Sequence, residues 1–387
     1  MLGDYLVLQN NKKDLIICTT EYITSEEYGG LAIFLEKFLK ILKKEYNVHL
    51  ITSSSNSKTY IQNGIKIYNV NINKLYLKIL RKYFVSLFFI IQSFFINRKI
   101  NELIKILPKT FLVHFSNYQC IGLLYKNKLP VITRLSSLET LWDIPNSFSL
   151  NKTLEKITLS KSNLILSPSK FLITELKNKY GLKGYFLPPL IEKIKKRNIK
   201  QKKKIIITFG SISPGKGSLA IEQIIHELLS VHKDIIYYWI GNVDYKYYSS
   251  NSFFQQKLKN KTQFSNRIKI INKLKRKKLF NFINKSEIVI LPSLRDNSPN
   301  ACLEALSMGK IILARKNSGY DDLIKDKFNG FLFNKKNNYE IPALVKKILS
   351  LDKKNKDKIK KNINIYNNKF NSEKFILEYN KYIKKII

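Results

Sequence analysis

The chain has 387 residues, 44% hydrophobic and 25% charged, which supplies two or three cored domains and excludes a wholly disordered polymer. Its 69 Lys and Arg against 28 Asp and Glu give a formal charge of +41, a field that attracts anionic surfaces and substrates; the joint excess of Lys, Asn, Ile, Tyr and Phe also fits a coding bias toward A and T. Three scattered cysteines, Cys18, Cys120 and Cys302, argue against a disulfide framework, and the four histidines, His49, His114, His226 and His232, lack the spacing of a structural zinc site.

The start, MLGDYLVLQNNKKDLIICTT, has neither the charged head nor the apolar core and cleavage site of a signal peptide. The longest apolar run, YFVSLFFIIQSFFI at 83–96, falls short of the roughly 20 residues that span a bilayer. The expectation is a cytoplasmic chain. Lys78, Arg81, Lys82, Arg98 and Lys99 flank that run, so it reads either as a packed helix or as one partly inserted at the inner face of a membrane.

Short β-rich runs alternate with helical patterns from the beginning. Strands are expected at 15–19, 48–52, 64–70, 111–115, 131–134 and 164–167. A helix is expected at 31–44, where Leu31, Phe34, Leu35, Phe38, Leu39 and Leu42 keep a helical spacing, and one long helical region at about 75–107. Residues 192–204, EKIKKRNIKQKKK, are almost all polar and read as a solvated basic linker. The pattern then restarts, with strands at 204–209, 235–240, 268–271, 288–291 and 311–314 and a helix at 218–230. The expectation is an α/β chain of two doubly wound, Rossmann-like domains facing each other across a cleft, at 1–191 and 205–372. A helix at 373–387 is expected to return to the first domain.

Two segments carry chemistry. The first is LPSLRDNSPNACLEALSMG at 291–309. A strand ends at Leu291, and Ser298-Pro299 reads as a helix cap followed by the first helical residue. That start presents the amides of Asn300, Ala301 and Cys302 to an anion. Glu304, one turn in, can accept two hydrogen bonds from a ribose diol, or it can simply offset the helix dipole. Asp296 lies eight positions earlier, with Asn297 beside it in the loop, and the two carboxylates could flank one ligand. The second segment is FGSISPGKG at 209–217, a glycine-rich turn after a strand in which Lys216 can neutralise a phosphate. Its spacing is not that of a P-loop.

Together these segments resemble the retaining family 4 glycosyltransferases, of GT-B architecture. That family's G-R-x-x-x-x-K-G turn reads here Gly210-Ser211 to Lys216-Gly217. Its GxG-type turn reads Ile240-Gly241-Asn242, and its acidic-x7-Glu motif reads Asp296 to Glu304, ahead of Ala305 and Gly309. SGYDDLIKDKFNGFLF at 318–333 resembles a further family stretch, and the likeness covers about 204–387, more weakly the first half. It implies that Lys216 holds a diphosphate, Glu304 the ribose and Asp296 the transferred sugar, with Gly210, Ser211, Asn297 and the amides of Asn300–Cys302 around the donor. Gly30, of the pair Gly29-Gly30, resembles the glycine turn that faces diphosphate and acceptor.

Two departures stand out. Ser211 replaces the family's arginine, with Arg295 the nearby substitute, and His114-Phe115-Ser116 replaces H-x-H. The resemblance implies a hexosyl transfer with retention from a nucleotide sugar, the acceptor hydroxyl attacking on the face the leaving group vacates. No cofactor is expected, and no metal, since no Asp-x-Asp pair occurs. The expected partners are the donor, a glycan or lipid-linked acceptor of cell-envelope polysaccharide synthesis, and an anionic membrane surface; no nucleic-acid motif occurs. The alternatives are an inactive carbohydrate-binding homologue and a nucleotide-sugar epimerase of the same architecture.

Overall fold

A computed structural model describes residues 12–23, 29–72, 75–126, 128–141, 149–192, 194, 204–297, 299–334 and 336–387. Ser298 and most of the basic run at 192–204 lie outside the described residues, as does the start of the chain through residue 11. Two units, each with its own core, divide the chain: Met1–Leu190 with Ser372–Ile387, and Ile191–Asn371.

The first unit opens with β1 (Asp14–Thr19), α1 (Gly30–Leu42), β2 (Asn47–Ser54), β3 (Thr59–Gln62), β4 (Ile65–Asn71), α2 (Leu75–Tyr83) and α3 (Val85–Ile106). It continues with β5 (Thr110–Ser116), β6 (Val131–Arg134), α4 (Leu150–Ser160), β7 (Leu164–Ser167), α5 (Lys170–Tyr180) and β8 (Tyr185–Phe186). The sheet order is β3-β4-β2-β1-β5-β6-β7-β8. All neighbours are parallel except the β3–β4 hairpin, which turns at Asn63-Gly64 with both φ positive. Helices on both faces explain why the central strands read as unbroken apolar runs. Leu15, Ile17, Leu112 and Ile132 pack under α1, while Ile16, Cys18 and Val113 pack under α3.

Two expectations change here. β3 is an exposed edge strand whose side chains give no apolar signal. The helical region expected at about 75–107 is helical and is divided into two helices, because Phe84 leaves helical geometry at φ −131°, ψ 60°. α3 is committed to the sheet through Ile96, Ile100 and Leu103, and its Phe88 and Phe89 pack with Leu77 of α2 and with Cys120, Leu123 and Leu154. Its opening is exposed: Tyr83 and Phe84 are 64% and 60% accessible, and Leu87 is also exposed. Among the described residues no helix is long and apolar enough to cross a membrane.

The second unit runs β9 (Lys204–Phe209), α6 (Ser218–Ser230), β10 (Ile235–Ile240), α7 (Asn251–Lys259), β11 (Ile268–Ile271), α8 (Arg276–Lys285), β12 (Ile288–Leu291), α9 (Asn300–Ser307), β13 (Ile311–Arg315), β14 (Phe331–Phe333), α10 (Glu340–Ser350) and α11 (Lys353–Asn367). Its sheet, β11-β10-β9-β12-β13-β14, is parallel throughout. The chain then returns to the first unit with α12 (Ser372–Ile383). Phe375 and Tyr379 of α12 meet the Phe38 ring edge-on at 5.6 and 5.2 Å, and Tyr46 Oη donates to Asn380 Oδ1 at 2.8 Å.

A buried carboxylate organises the loops after β5 and β6. Glu155 of α4 accepts from Tyr180 Oη at 2.7 Å, Asn117 Nδ2 at 2.9 Å and the Glu139 amide at 2.9 Å. Asn117 in turn accepts from the Ser136 amide at 2.8 Å and donates to Ser137 O at 2.6 Å. Burial raises the Glu155 pKa from 4.5 to about 7 despite these donors. The folded state therefore holds this proton more tightly than the unfolded chain. The contribution is fully present below pH 4.5 and is lost as pH rises through 7, a change of about 3 kcal/mol. Denaturant unfolding of Glu155→Gln and its parent at pH 5 and pH 8 should show the variant gaining about that much on the parent at the higher pH. A constant difference between them would assign the titration elsewhere.

Candidate active site

The glycine turn after β9 and the loop after β12 are sealed by backbone contacts that no side chain could share. Gly210 has φ +119° and Gly217 φ +89°, both in the region that favours glycine. A Cβ on Gly217 would stand 2.4 Å from Pro292 O, and one on Gly241 only 1.9 Å from Gly210 O. The Leu294 amide donates to Gly215 O at 3.0 Å, and Trp239 Nε1 donates to Gly210 O at 3.2 Å.

This seam brings Lys216 to Asp296 across 80 positions, Nζ to Oδ2 at 2.8 Å. The Asp296 side chain is 15% exposed and that of Lys216 37%. Tyr320, fully buried, hydrogen-bonds to Asp296 and to Ser293, and burial pushes its pKa well up. The Gly319 amide donates to Asp296 O at 2.7 Å, and a Cβ on Gly319 would stand 1.9 Å from Asn297 O. The carboxylate is thus fixed from three sides: by the turn, by its own loop and by the segment after β13.

α9 begins at Asn300, and Pro299 precedes it in extended geometry at φ −69°, ψ 107°, so proline is the cap and not the first helical residue. Ser298, the expected cap, lies outside the described residues. The shift leaves the first turn unchanged in content. The amides of Asn300, Ala301 and Cys302 make up this first turn ahead of Leu303, whose N–H donates to Pro299 O at 3.1 Å. That turn carries no acidic residue. The Cys302 thiol is fully buried, and burial raises its pKa well above the ordinary value, so only its amide can face a ligand.

Glu304 pairs with a residue of another element, α8. Its carboxylate is largely buried, with Oε1 3.5 Å from Nε of Arg276, the first residue of α8. Arg276 also lies over the Phe280 ring at 5.2 Å. Ser211 and Arg295 are exposed on their loops, and Asn297 is buried beneath Gly319. Asn242 reaches a polar cavity of about 560 Å³ at the ends of β10 and β11, lined also by Asn251, Gln255 and Asn272.

Gly30 is in the first unit, where it opens α1 behind Gly29; the Gly29 amide donates to Glu21 Oε2 at 3.2 Å. His114 is a packed residue, its Nδ1 2.8 Å from Tyr379 Oη and its ring against Phe38. Burial, then the charge of Arg134, lowers its pKa to about 3, so it stays neutral. Among the described residues no group of three or more His, Cys, Asp or Glu side chains is placed to hold a metal ion.

Sequence reasoning missed Tyr320, Gly319 and Arg276 as parts of this arrangement. Gly319 and Tyr320 sit in the SGY stretch, but nothing local says that they grip Asp296. Arg276 was hidden in a run of lysines at 273–278.

Residues 191–365 match the family model of glycosyl transferases group 1. An uncharacterized glycosyltransferase of Methanocaldococcus jannaschii is 26% identical over 97% of this chain and 99% of its own length. Sucrose-phosphate synthase from Thermosynechococcus elongatus superposes with a TM-score of 0.76 at 12% identity, over 97% of this chain and 99% of that one. Anabaena HepE, solved with UDP and glucose, superposes with a TM-score of 0.68 at 12% identity, over 96% of this chain and all of that one. The second unit matches the model of glycosyl transferases group 1 over most of its length, and the two Rossmann-like sheets together with these solved neighbours give the chain the GT-B fold.

Proposed function

We propose that the enzyme transfers a hexosyl group, with retention and without metal, from a nucleotide sugar to a glycan or lipid-linked acceptor at the cytoplasmic face of a membrane. The observation that carries this reading is the Lys216–Asp296 pair at 2.8 Å, in the same loop that leads into α9. A departing nucleoside diphosphate gathers negative charge, and fixed donors aimed at it stabilise that charge most effectively. Lys216 supplies a cation, and the first-turn amides of α9 supply oriented dipoles. Asp296, held by Lys216 and Tyr320, then serves the sugar hydroxyls, and Glu304 the ribose. Arg276 neutralises Glu304 and keeps one of its oxygens directed. Solved neighbours carry UDP with glucose or UDP-2-fluoro glucose, which supports a nucleotide-sugar donor. The acceptor attacks on the leaving-group face, and the phosphate takes its proton.

A panel of nucleotide sugars with released nucleotide as readout identifies the donor. With that donor, Lys216→Ala should lower kcat on the order of 100-fold, as for loss of one oxyanion donor. Lys216→Arg should retain more activity, and EDTA should leave the parent active. Glu304→Ala should weaken donor binding by about 1.5–3 kcal/mol. Parental turnover and binding in both alanine variants would remove these residues from the site, and metal-rescued loss in EDTA would assign the leaving-group charge to a cation.

The membrane part of the reading rests on the α2–α3 corner. Ile79, Tyr83, Phe84 and Leu87 are exposed there, next to Lys82, on a chain of charge +41. Each Lys or Arg near an anionic surface contributes roughly 1 kcal/mol, screened over about 8–10 Å at physiological salt. The protein should float with anionic vesicles at low salt, release as salt rises, and lose affinity in Tyr83→Ser/Phe84→Ser. Equal recovery with neutral and anionic vesicles, or none with either, would point to a soluble acceptor.

A further inference from the structure

Arg134 ends β6 in the first unit, and Ser116 ends its parallel neighbour β5; the two are partners in register. Their side chains therefore emerge on one face of the sheet. It is the face of Leu112, His114 and Ile132, covered by α1 and α12. Arg134 is only 6% exposed, and its guanidinium carbon lies 3.5 Å from the centroid of the Phe34 ring. Its one hydrogen bond among the described residues is long, from a terminal nitrogen, Nη1, to Leu135 O at 3.4 Å. Nε is buried with no partner, and no carboxylate among the described residues pairs with the group. Ser116 Oγ, on a residue 5% exposed, is likewise buried without a partner.

Burying a guanidinium without a partner costs several kcal/mol, and proteins seldom leave one so. The second unit shows the ordinary solution. Arg315, 1% exposed, also lies over a ring, that of Phe333, but its Nε donates to Pro292 O at 3.1 Å and its Nη2 to Asn338 Oδ1 at 2.9 Å. Arg134 has the ring without the acceptors. Phe34 covers the plane of its guanidinium, and Nη1 turns to Leu135. What is left is the edge formed by Nε and Nη2, the pair of parallel N–H groups that matches two oxygens of a phosphate or carboxylate. Ser116, its register partner on β5, carries a third donor, Oγ, on the same face of the sheet. The place is the carboxyl end of adjacent parallel strands, where doubly wound sheets bind ligands. The rim is rigid, since Asn117 ties the loops after β5 and β6 together.

We propose that Arg134 and Ser116 form an oxyanion site in the first unit, which takes a phosphate or carboxylate group of the acceptor. Assigning the oxyanion to the acceptor rests on the glycosyl-transfer reading; the existence of the site does not. A sugar phosphate or a uronate would bring such a group, and a neutral hexose would not.

The test uses the full chain and three variants, Arg134→Met, Ser116→Ala and Lys216→Ala, titrated calorimetrically with inorganic phosphate, a hexose phosphate, a hexuronate and the neutral hexose. Lys216→Ala should retain one anion-binding event. Arg134→Met should lose that event while melting at or above the parent temperature, because an unpaired buried charge has been removed. Ser116→Ala should weaken it several-fold. The stronger of the hexose phosphate and the hexuronate names the oxyanion, and both should exceed the neutral hexose. Should Arg134→Met fail to fold, Arg134→Lys decides: it keeps the charge without the two-pronged edge and should bind at least 10-fold more weakly. Parental anion binding in Arg134→Lys or Arg134→Met, or loss of all anion binding in Lys216→Ala alone, would overturn the proposal. Failure of the donor reading looks different, as normal turnover in Lys216→Ala, and leaves the Arg134 comparison intact.

Discussion

Backbone approaches too close for any side chain hold the second unit's functional loops in place. Gly217 lies against Pro292 O, Gly241 against Gly210 O and Gly319 against Asn297 O. Each approach lets one loop brace the next, so the turn after β9, the loop after β12 and the segment after β13 behave as one piece. Without the Gly217 approach, Lys216 would be a long exposed side chain near a carboxylate, and such pairs contribute little. With it, the ammonium is delivered to Asp296 and the start of α9 lies next along the same chain. The chemistry attributed to this site depends on donors already fixed when charge develops, and these contacts are what fix them.

The polar groups around that seam fall into two classes. Tyr320, Ser293 and Gly319 only hold: Tyr320 bonds the Asp296 side chain and Ser293, and the Gly319 amide bonds the Asp296 carbonyl. Lys216, Asp296 and the first turn of α9 retain exposure and can meet a ligand. Glu304 lies between the classes. Its pairing with Arg276 at 3.5 Å neutralises a largely buried carboxylate, while Arg276 is itself 39% exposed. This suits a chain in which Ser211 stands where the resemblance calls for arginine. Lys216 and Arg276 each pair with one of the two carboxylates, from a turn and from a helix start.

How much of this was legible in the sequence follows from the range of each signal. Parallel strands buried on both faces advertise themselves as runs such as IIITF and IVIL, so the central strands of both sheets lay where the pattern placed them. The glycine turn and the Asp296–Glu304 spacing were legible because both ends of each motif are local. β3 was not, since an edge strand with exposed side chains has no apolar period. Nor was the break at Phe84, because the residues on either side are equally apolar and only packing of α3 on the sheet decides where the helix stops. Arg276 and Tyr320 meet their carboxylates over 28 and 24 positions of chain, and no local pattern encodes such a meeting.

Buried charges give the most economical reading of what each sheet edge is for. Glu155 is buried and keeps three donors, which makes it a fastener for the loops after β5 and β6. Arg315 is buried and keeps carbonyl acceptors, which makes it a fastener for the loop after β12. Arg134 is buried to the same degree with its inner edge unmatched, on strands whose loops the Glu155 network already holds. A structural arginine would have drawn an acceptor to Nε, as Arg315 does, because leaving one unmade is the costlier state. The carboxyl edge of each sheet therefore carries positive groups: Lys216, beside Asp296 and ahead of α9, in one unit, and Arg134 in the other. Anionic ligands are what such edges have in common.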